Sequence, residues 1–330
     1  MAQQTDLPDR PTGADRRVKF LEWSTKIVEW SKRWLWILTR TVLIYGICIV
    51  ILYPIAQKIS YAFRAEIDLY DSSVLWIPRN FTLDHFKAVY ALIKYPDAVL
   101  NTFILSVGTS CLQLISCALA GYGFARLKFR GSGILFGLVI FTIVVPPQTI
   151  MVPVYLHYRY FDLFGLYELF SGNKGVNLLN SFWPFFISSM LASGLKNGLY
   201  IYIFRQFFRA LPKELEEAAY VDGSGILRTF VRVMLPNAIP AIATVMLFSF
   251  VWQWNDSYFV NMYAPNYTLL SRTLDLLPGT ATGLLGVNAA ALISMYLNVG
   301  ALLGLTPIFI LYLFAQRYFV ESVERTGIIG

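Results

Sequence analysis

The sequence predicts an all-α polytopic membrane protein: six transmembrane helices, N- and C-termini cytoplasmic, and a polar helical pair in the cytosol between helices 4 and 5. Three observations predict it. The 330-residue chain is 56% hydrophobic and only 14% charged, with mean hydropathy +0.55, whereas a soluble domain is about 25% charged. Six stretches are long and apolar enough to cross a hydrocarbon core, which takes about 20 helical residues. Lys and Arg gather at alternate ends of those stretches, the bias of cytoplasmic loops.

Residues 1–40 form a cytosolic N-terminal arm. Asp6, Asp9, Asp15, Glu22 and Glu29 are mixed with its basic residues and no early apolar core is present, so it does not read as a cleavable secretory signal. A surface-lying stretch is expected around Phe20 to Trp36. The spans run roughly from Thr41 to Phe63, Asn101 to Phe124, Gly133 to Tyr155, Leu178 to Phe204, Ala238 to Met262 and Ala289 to Gln316. Arg16, Arg17, Lys19, Lys32, Arg33 and Arg40 precede the first. Arg126, Lys128 and Arg130 follow the second, and Arg205, Arg209, Lys213, Arg228 and Arg232 follow the fourth. These ends belong to the cytoplasm, and an even number of spans returns Arg317 and Arg325 to the same side. The loops near 64–97, 157–177 and 263–288 then face outward, carrying the turn and cap signals Pro78, Thr82, Asp97, Pro265, Asn266 and Pro278. Residues 41–330 read as one domain.

The polar pair occupies about 207–237. Pro212 suits a first helical position, and Glu214, Glu216 and Glu217 lie beside the positive end of the helix dipole. Leu215, Ala218 and Ala219 recur at i, i+3 and i+4 as a small apolar face, and Gly223 and Gly225 allow the chain to stop and turn. Ile226, Phe230, Val233 and Met234 repeat at helical spacing in the second piece, which Pro236 closes. A conspicuous charged element between two spans needs a partner.

From Glu217 to Pro236 the chain resembles the cytoplasmic EAA loop of binding-protein-dependent ABC importer permeases, with Glu217, Ala218, Ala219, Asp222 and Gly223 followed by Leu235–Pro236 at the family's spacing. RQFFRALPKELEEAA, FSFVWQWNDSYF, QRYFVESVERTGIIG, PRNFTLDHFKAVY, LAGYGFARLKFRG and VVPPQTIMVPVY are similar to the maltose-type, carbohydrate-uptake branch. The resemblance covers roughly residues 75–330. Leu169 to Gly198 and Asn288 to Thr306 depart from the pattern, being longer or more polar, and the first forty residues have no counterpart.

The resemblance implies a permease subunit of the bacterial plasma (inner) membrane. Its partners would be a second homologous permease, an ABC ATPase dimer, an extracellular or periplasmic solute-binding protein, and membrane lipid. ATP and Mg would be used by the ATPase subunits, with no cofactor on this chain. Glu217 and Gly223 are the positions it marks most strongly for coupling. The residues agree: small Ala218 and Ala219 permit close approach, and carboxylates at a helix start can meet basic groups on a partner.

Polar residues inside apolar spans are the candidates for a substrate pathway. Trp252, Gln253, Trp254, Asn255 and Asp256 put an amide and a carboxylate beside indoles, suited to sugar rings and hydroxyls. Asn255 lies roughly 28 Å along a helix from Pro236, so an interfacial aromatic belt is an equal reading. Ser188, Ser189, Ser193, Lys196, Asn197 and Gly198 form a polar break in span four. They either contact an acidic or hydroxylated sugar or mark a helix ending near Ser193, and the second reading is preferred. Asn288, Ser294, Asn298 and Thr306, with Pro307, read as helix glue. Tyr122 and Arg126, at the inner end of span two, resemble family positions near the gate, with Arg126 read in preference as a topology-setting charge.

Several classes are excluded or weakened. The net charge of +7 follows from cytoplasmic loops, and no nucleic-acid motif is present. His85 and His157 are isolated, so no metal site is expected. Cys48, Cys111 and Cys117 lie in apolar runs as small hydrophobes. Without a Gly–Lys dipeptide there is no phosphate-cradling loop, so the chain is not expected to be an enzyme. An oligosaccharide or glycoside is the leading cargo. The alternatives are the same machinery with glycerol phosphate, a polyamine or an amino acid, or an ion-coupled secondary transporter, for which the spans are poor in carboxylates.

Overall fold

A computed structural model describes residues 13–71, 73–162, 165–172, 175–286 and 289–327; Asp6, Asp9 and Asn288 lie outside them. Beyond two isolated bridges, Arg64 with Phe81 and Phe161 with Val176, the described residues form no β-structure. The chain divides between Ser60 and Tyr61 into two units.

The first unit is almost entirely one helix, α1 (Gly13–Ala62). Arm and first span, expected as separate pieces, are continuous, because no Gly or Pro interrupts Ala14 to Tyr45. Val42, Leu43, Ile44, Ile47, Ile49 and Val50 are all more than half exposed. A helix apolar on every side suits lipid or another chain, not water.

The second unit opens with a loop built around buried Asp68. Its carboxylate accepts the Asn80 and Arg79 N–H groups, both at 2.9 Å, and the Asn80 amide at 2.7 Å. The Asn80 backbone bond is the main cause that holds this carboxyl below the usual range, against an opposing contribution from burial. Helix α2 (Asp84–Leu92) then leads to α3 (Tyr95–Arg126), which contains the second expected span and extends it at both ends.

The third expected span is not one helix. Helix α4 (Ser132–Val144) stops at Pro146–Pro147, which withhold two N–H donors. A 3-10 turn (Pro147–Ile150) and α5 (Met151–Arg159) follow, bent by 103° from α4. After α6 (Leu166–Ser171) the fourth expected span is likewise two helices, α7 (Trp183–Met190) and α8 (Asn197–Ala210). The chain turns between them through Ala192 and Lys196, at φ 55° and 61°, as the helix-break reading of Ser193 anticipated.

The polar pair is α9 (Glu214–Val221) and α10 (Ile226–Asn237), the latter with a π turn over Phe230–Met234. Helix α9 begins two residues after Pro212, with Lys213 as its cap, so Pro212 precedes the helix and does not open it. An 81° bend leads into α11 (Ile239–Trp254), and α12 (Tyr258–Tyr263) completes the stretch expected as span five. In α13 (Leu270–Leu285), Pro278 is helical, not at a turn. Burial of Leu270, Leu277 and Ala281 outweighs the one N–H it withholds. Last is α14 (Ala290–Gly327).

By length and composition three described helices can cross a membrane, or five if each bent pair is one span. Helix α8, at 14 residues, reaches about 21 Å, short of a core of about 30 Å.

Helix α3 is the hub, packing along α8 and α11. Gly121 makes the first contact possible: a Cβ there would stand 2.5 Å from Phe204 Cβ and 3.0 Å from the Arg205 nitrogen. Cys117, Tyr122, Phe204, Phe208, Phe230 and Met234 fill the space around it. Along the same helix Thr102, Ser106, Thr109, Ser110 and Gln113 are all buried. Ser249 of α11 bonds Ser110 Oγ at 3.0 Å and Gln113 Oε1. Gln113 Nε2 donates to Leu195 O at 3.0 Å and Ser116 Oγ to Ser189 O at 2.7 Å. The carbonyls freed by the α7–α8 break are thus satisfied by α3, the condition for irregular backbone away from water.

Candidate functional site

Helix α9 ends in a complete left-handed glycine cap. Gly223 has φ 77°; its N–H donates to Tyr220 O at 3.0 Å and the Ser224 N–H to Ala219 O at 2.9 Å, the two bonds of a Schellman motif. Nothing lies within 4 Å of where a Cβ would be. The constraint on this position is therefore backbone conformation, not crowding.

Glu217, Ala218, Asp222, Gly223 and Pro236 are exposed, as are Tyr220, Val221 and Leu227. The buried face consists of Glu216 and Ala219. This corrects the expected apolar face of Leu215, Ala218 and Ala219: Ala218 points outward, Leu215 is half-buried, and a carboxylate takes the inner place. Glu216 can be buried because Arg126, at the end of α3, stands 3.4 Å away with its Nε on Oε2. Arg126 also donates through Nη2 to Leu211 O, in the connection from α8 to α9. Arg126 is consequently more than an orienting charge, and neither partner was legible as one of a pair from spacing alone. Tyr122, one turn earlier, packs its ring on Phe208 and Phe230 at 5.6 and 5.0 Å.

The pathway candidates separate into two environments. Lys196 Nζ lies over the Trp252 ring, 4.7 Å from its centroid, joining two groups 56 residues apart in the chain. Both side chains are exposed. Asn255 is exposed too, its amide donating to Val251 O at 2.8 Å. Trp254 and Asn197, by contrast, are buried in the protein: Trp254 stacks on Phe250 at 5.5 Å, and Asn197, with its amide oriented by its neighbours, accepts the Ser193 and Gly194 N–H groups at 3.3 Å. Asp256 accepts the Phe259 N–H, in the first turn of α12, at 3.1 Å. Asn298 and Thr306 bond carbonyls of their own helix, at 2.9 and 2.7 Å. Gln113 was missed by sequence reasoning, although an amide in the middle of an apolar 32-residue helix was signal enough.

Comparison with known proteins gives a consistent result. Residues 117–325 match the family described as "Binding-protein-dependent transport system inner membrane component". The "Osmoprotective compounds uptake permease protein GgtD" of Synechocystis sp. is 31% identical over 254 residues, 76% of this chain and 77% of that protein. The "Melibiose/raffinose/stachyose import permease protein MelC" of Bacillus subtilis is 27% identical over 79% of this chain and 86% of its own length. The "Arabinooligosaccharides transport system permease protein AraQ" of Halalkalibacterium halodurans is 26% identical over 86% and 93%. In fold, the chain matches one in the crystal structure of a bacterial ABC transporter involved in the import of the acidic polysaccharide alginate. The TM-score is 0.68 and the identity 21%, covering 88% of this chain and 98% of that one. The capped α9 and the bent α10–α11 pair lie within residues 117–325, and the chain belongs to the binding-protein-dependent inner-membrane permeases of ABC importers.

Proposed function

We propose that this chain is a six-span subunit of an ATP-driven importer that moves a carbohydrate, an oligosaccharide or glycoside, by alternating access. It works beside a second homologous permease, an ATPase dimer that uses ATP and Mg, and a solute-binding protein on the outer side. Both termini and the α9–α10 pair face the cytosol of a bacterium. The observation that carries this reading is the capped helix α9, which exposes Glu217, Ala218 and Val221 while Glu216 and Ala219 anchor it. An exposed face of small, apolar and acidic residues on a short anchored helix suits a protein socket with basic groups. Closure of the ATPases on ATP moves that helix and, with it, the spans.

For the cargo, the support is the naming of relatives for melibiose, raffinose, stachyose and arabinooligosaccharides. Lys196, Trp252 and Asn255 are the exposed candidates for the pathway, an aromatic face beside cationic and amide donors. The decisive experiment is uptake into vesicles holding the reconstituted importer. Glu217→Lys places a cation where a basic socket is expected, and Gly223→Asp forces a side chain into φ 77°. Each abolishes ATP-dependent uptake while the protein remains inserted. Normal transport by either variant refutes the coupling role.

A further inference from the structure

The Arg126–Glu216 pair does more than fill the core. Both side chains are buried, at 7% and 9% exposure, 90 residues apart in sequence. The Arg126 guanidinium reaches the connection before α9 through Leu211 O and α9 itself through Glu216. Arg126 Nε, Glu216 Oε1 and the Thr229 hydroxyl are buried without a hydrogen bond. Such a knot is a poor device for stability alone, because desolvating two charges offsets most of their attraction, and apolar residues of similar volume commonly do as well.

Its geometry serves another purpose. The chain connections to α9 are short and jointed, Leu211–Lys213 on one side and Asp222–Gly225 on the other, the latter with two glycines. A purely apolar contact between α9 and α3 slides when pushed, whereas the buried Arg126–Glu216 ion pair, with the Arg126 Nη2 bond to Leu211 O, resists displacement. Helix α3 in turn carries Gln113 and Ser116, which grip the α7–α8 break beside Lys196.

We propose that Arg126 and Glu216 are positioning residues that clamp the coupling helix to the end of α3, so that displacement of α9 is delivered to α3 and the break it holds. This inference rests on the reading of α9 as the ATPase-docking helix. Force delivered to α3 reaches the α7–α8 segment through side-chain bonds.

The test replaces both partners together, Arg126→Met with Glu216→Met, in the complete importer reconstituted in vesicles. A cysteine at Val221, paired with cysteines on the ATPase subunit, reports docking by crosslinking. The expected result is an assembled complex that still crosslinks and hydrolyses ATP but imports at least tenfold less sugar per ATP. Loss of crosslinking in the double variant alone also supports the clamp, since α9 is then presented wrongly. Wild-type uptake per ATP with crosslinking intact overturns the clamp and leaves the docking reading standing. Absence of crosslinking in the wild type overturns the docking reading, and the clamp with it. If the double variant does not fold, Glu216→Gln, which keeps the shape of the side chain, decides: coupling equal to wild type overturns the proposal.

Discussion

Gly121 offers the sharpest test of the packing between α3 and α8, beneath α9. Adding one methyl there puts a Cβ 2.5 Å from Phe204 Cβ, 3.0 Å from the Arg205 nitrogen and 3.2 Å from Ile201 O. None of these atoms is the free end of a flexible side chain, and carbon atoms in contact sit about 3.5–4.0 Å apart. Helices α3 and α8 must therefore separate by roughly an ångström along a well-packed face, a strain of about 1–3 kcal/mol. Gly123, two residues on in the same helix, has nothing within 4 Å of its would-be Cβ. Gly-to-Ala substitution also raises helix propensity by about 1 kcal/mol, but this applies to both positions and cancels in their difference. Gly121→Ala should accordingly be less stable than Gly123→Ala by about 1–3 kcal/mol. The measurement is equilibrium or thermal unfolding of the two purified variants side by side in one detergent. Equal stability, or a less stable Gly123→Ala, refutes the close approach of α3 and α8.

Two further outcomes follow from the same geometry. The depressed Asp68 carboxyl makes a contribution present above the ordinary carboxylate pKa of about 3.9 and lost as pH falls through the lower folded value. Protease protection of residues 64–83 should hold at neutral pH and fail only below that ordinary value, while Asp68→Asn should remove the protection at every pH. Protection of the variant equal to wild type at pH 7 counts against the cage. For the Lys196–Trp252 pair, a double-mutant cycle of Lys196→Met and Trp252→Leu should show a coupling of about 0.5–1 kcal/mol, the range for an exposed cation–π contact, and zero coupling refutes it.

What was legible in the sequence is what is decided locally. The left-handed cap at Gly223 depends on the six residues Ala219–Ser224, and their order announces it. The break between α4 and α5 was missed by reading one span over 133–155, although Pro146–Pro147 carry its signal. The α7–α8 break was readable only as a choice, since the polar run around Ser193 fits a cavity as well as a bend. The choice is made by Gln113 and Ser116 on another helix, whose side chains satisfy the freed carbonyls. Neither the length nor the hydropathy of residues 178–204 carries that information.

The adjacent residues Glu216 and Glu217 state the same limit more sharply. They are chemically identical and one helical step, 100°, apart, so the helical period assigns them different faces but cannot say which is inward. The answer lies in Arg126, which is a topology charge by the counting of loops and a buried partner by its surroundings. The two roles are compatible. On the proposed topology one arginine can orient the span first and receive the carboxylate afterwards. Arg126→Met alone should therefore harm the protein more than the paired methionine replacement, because only the single change leaves Glu216 buried without a counter-charge.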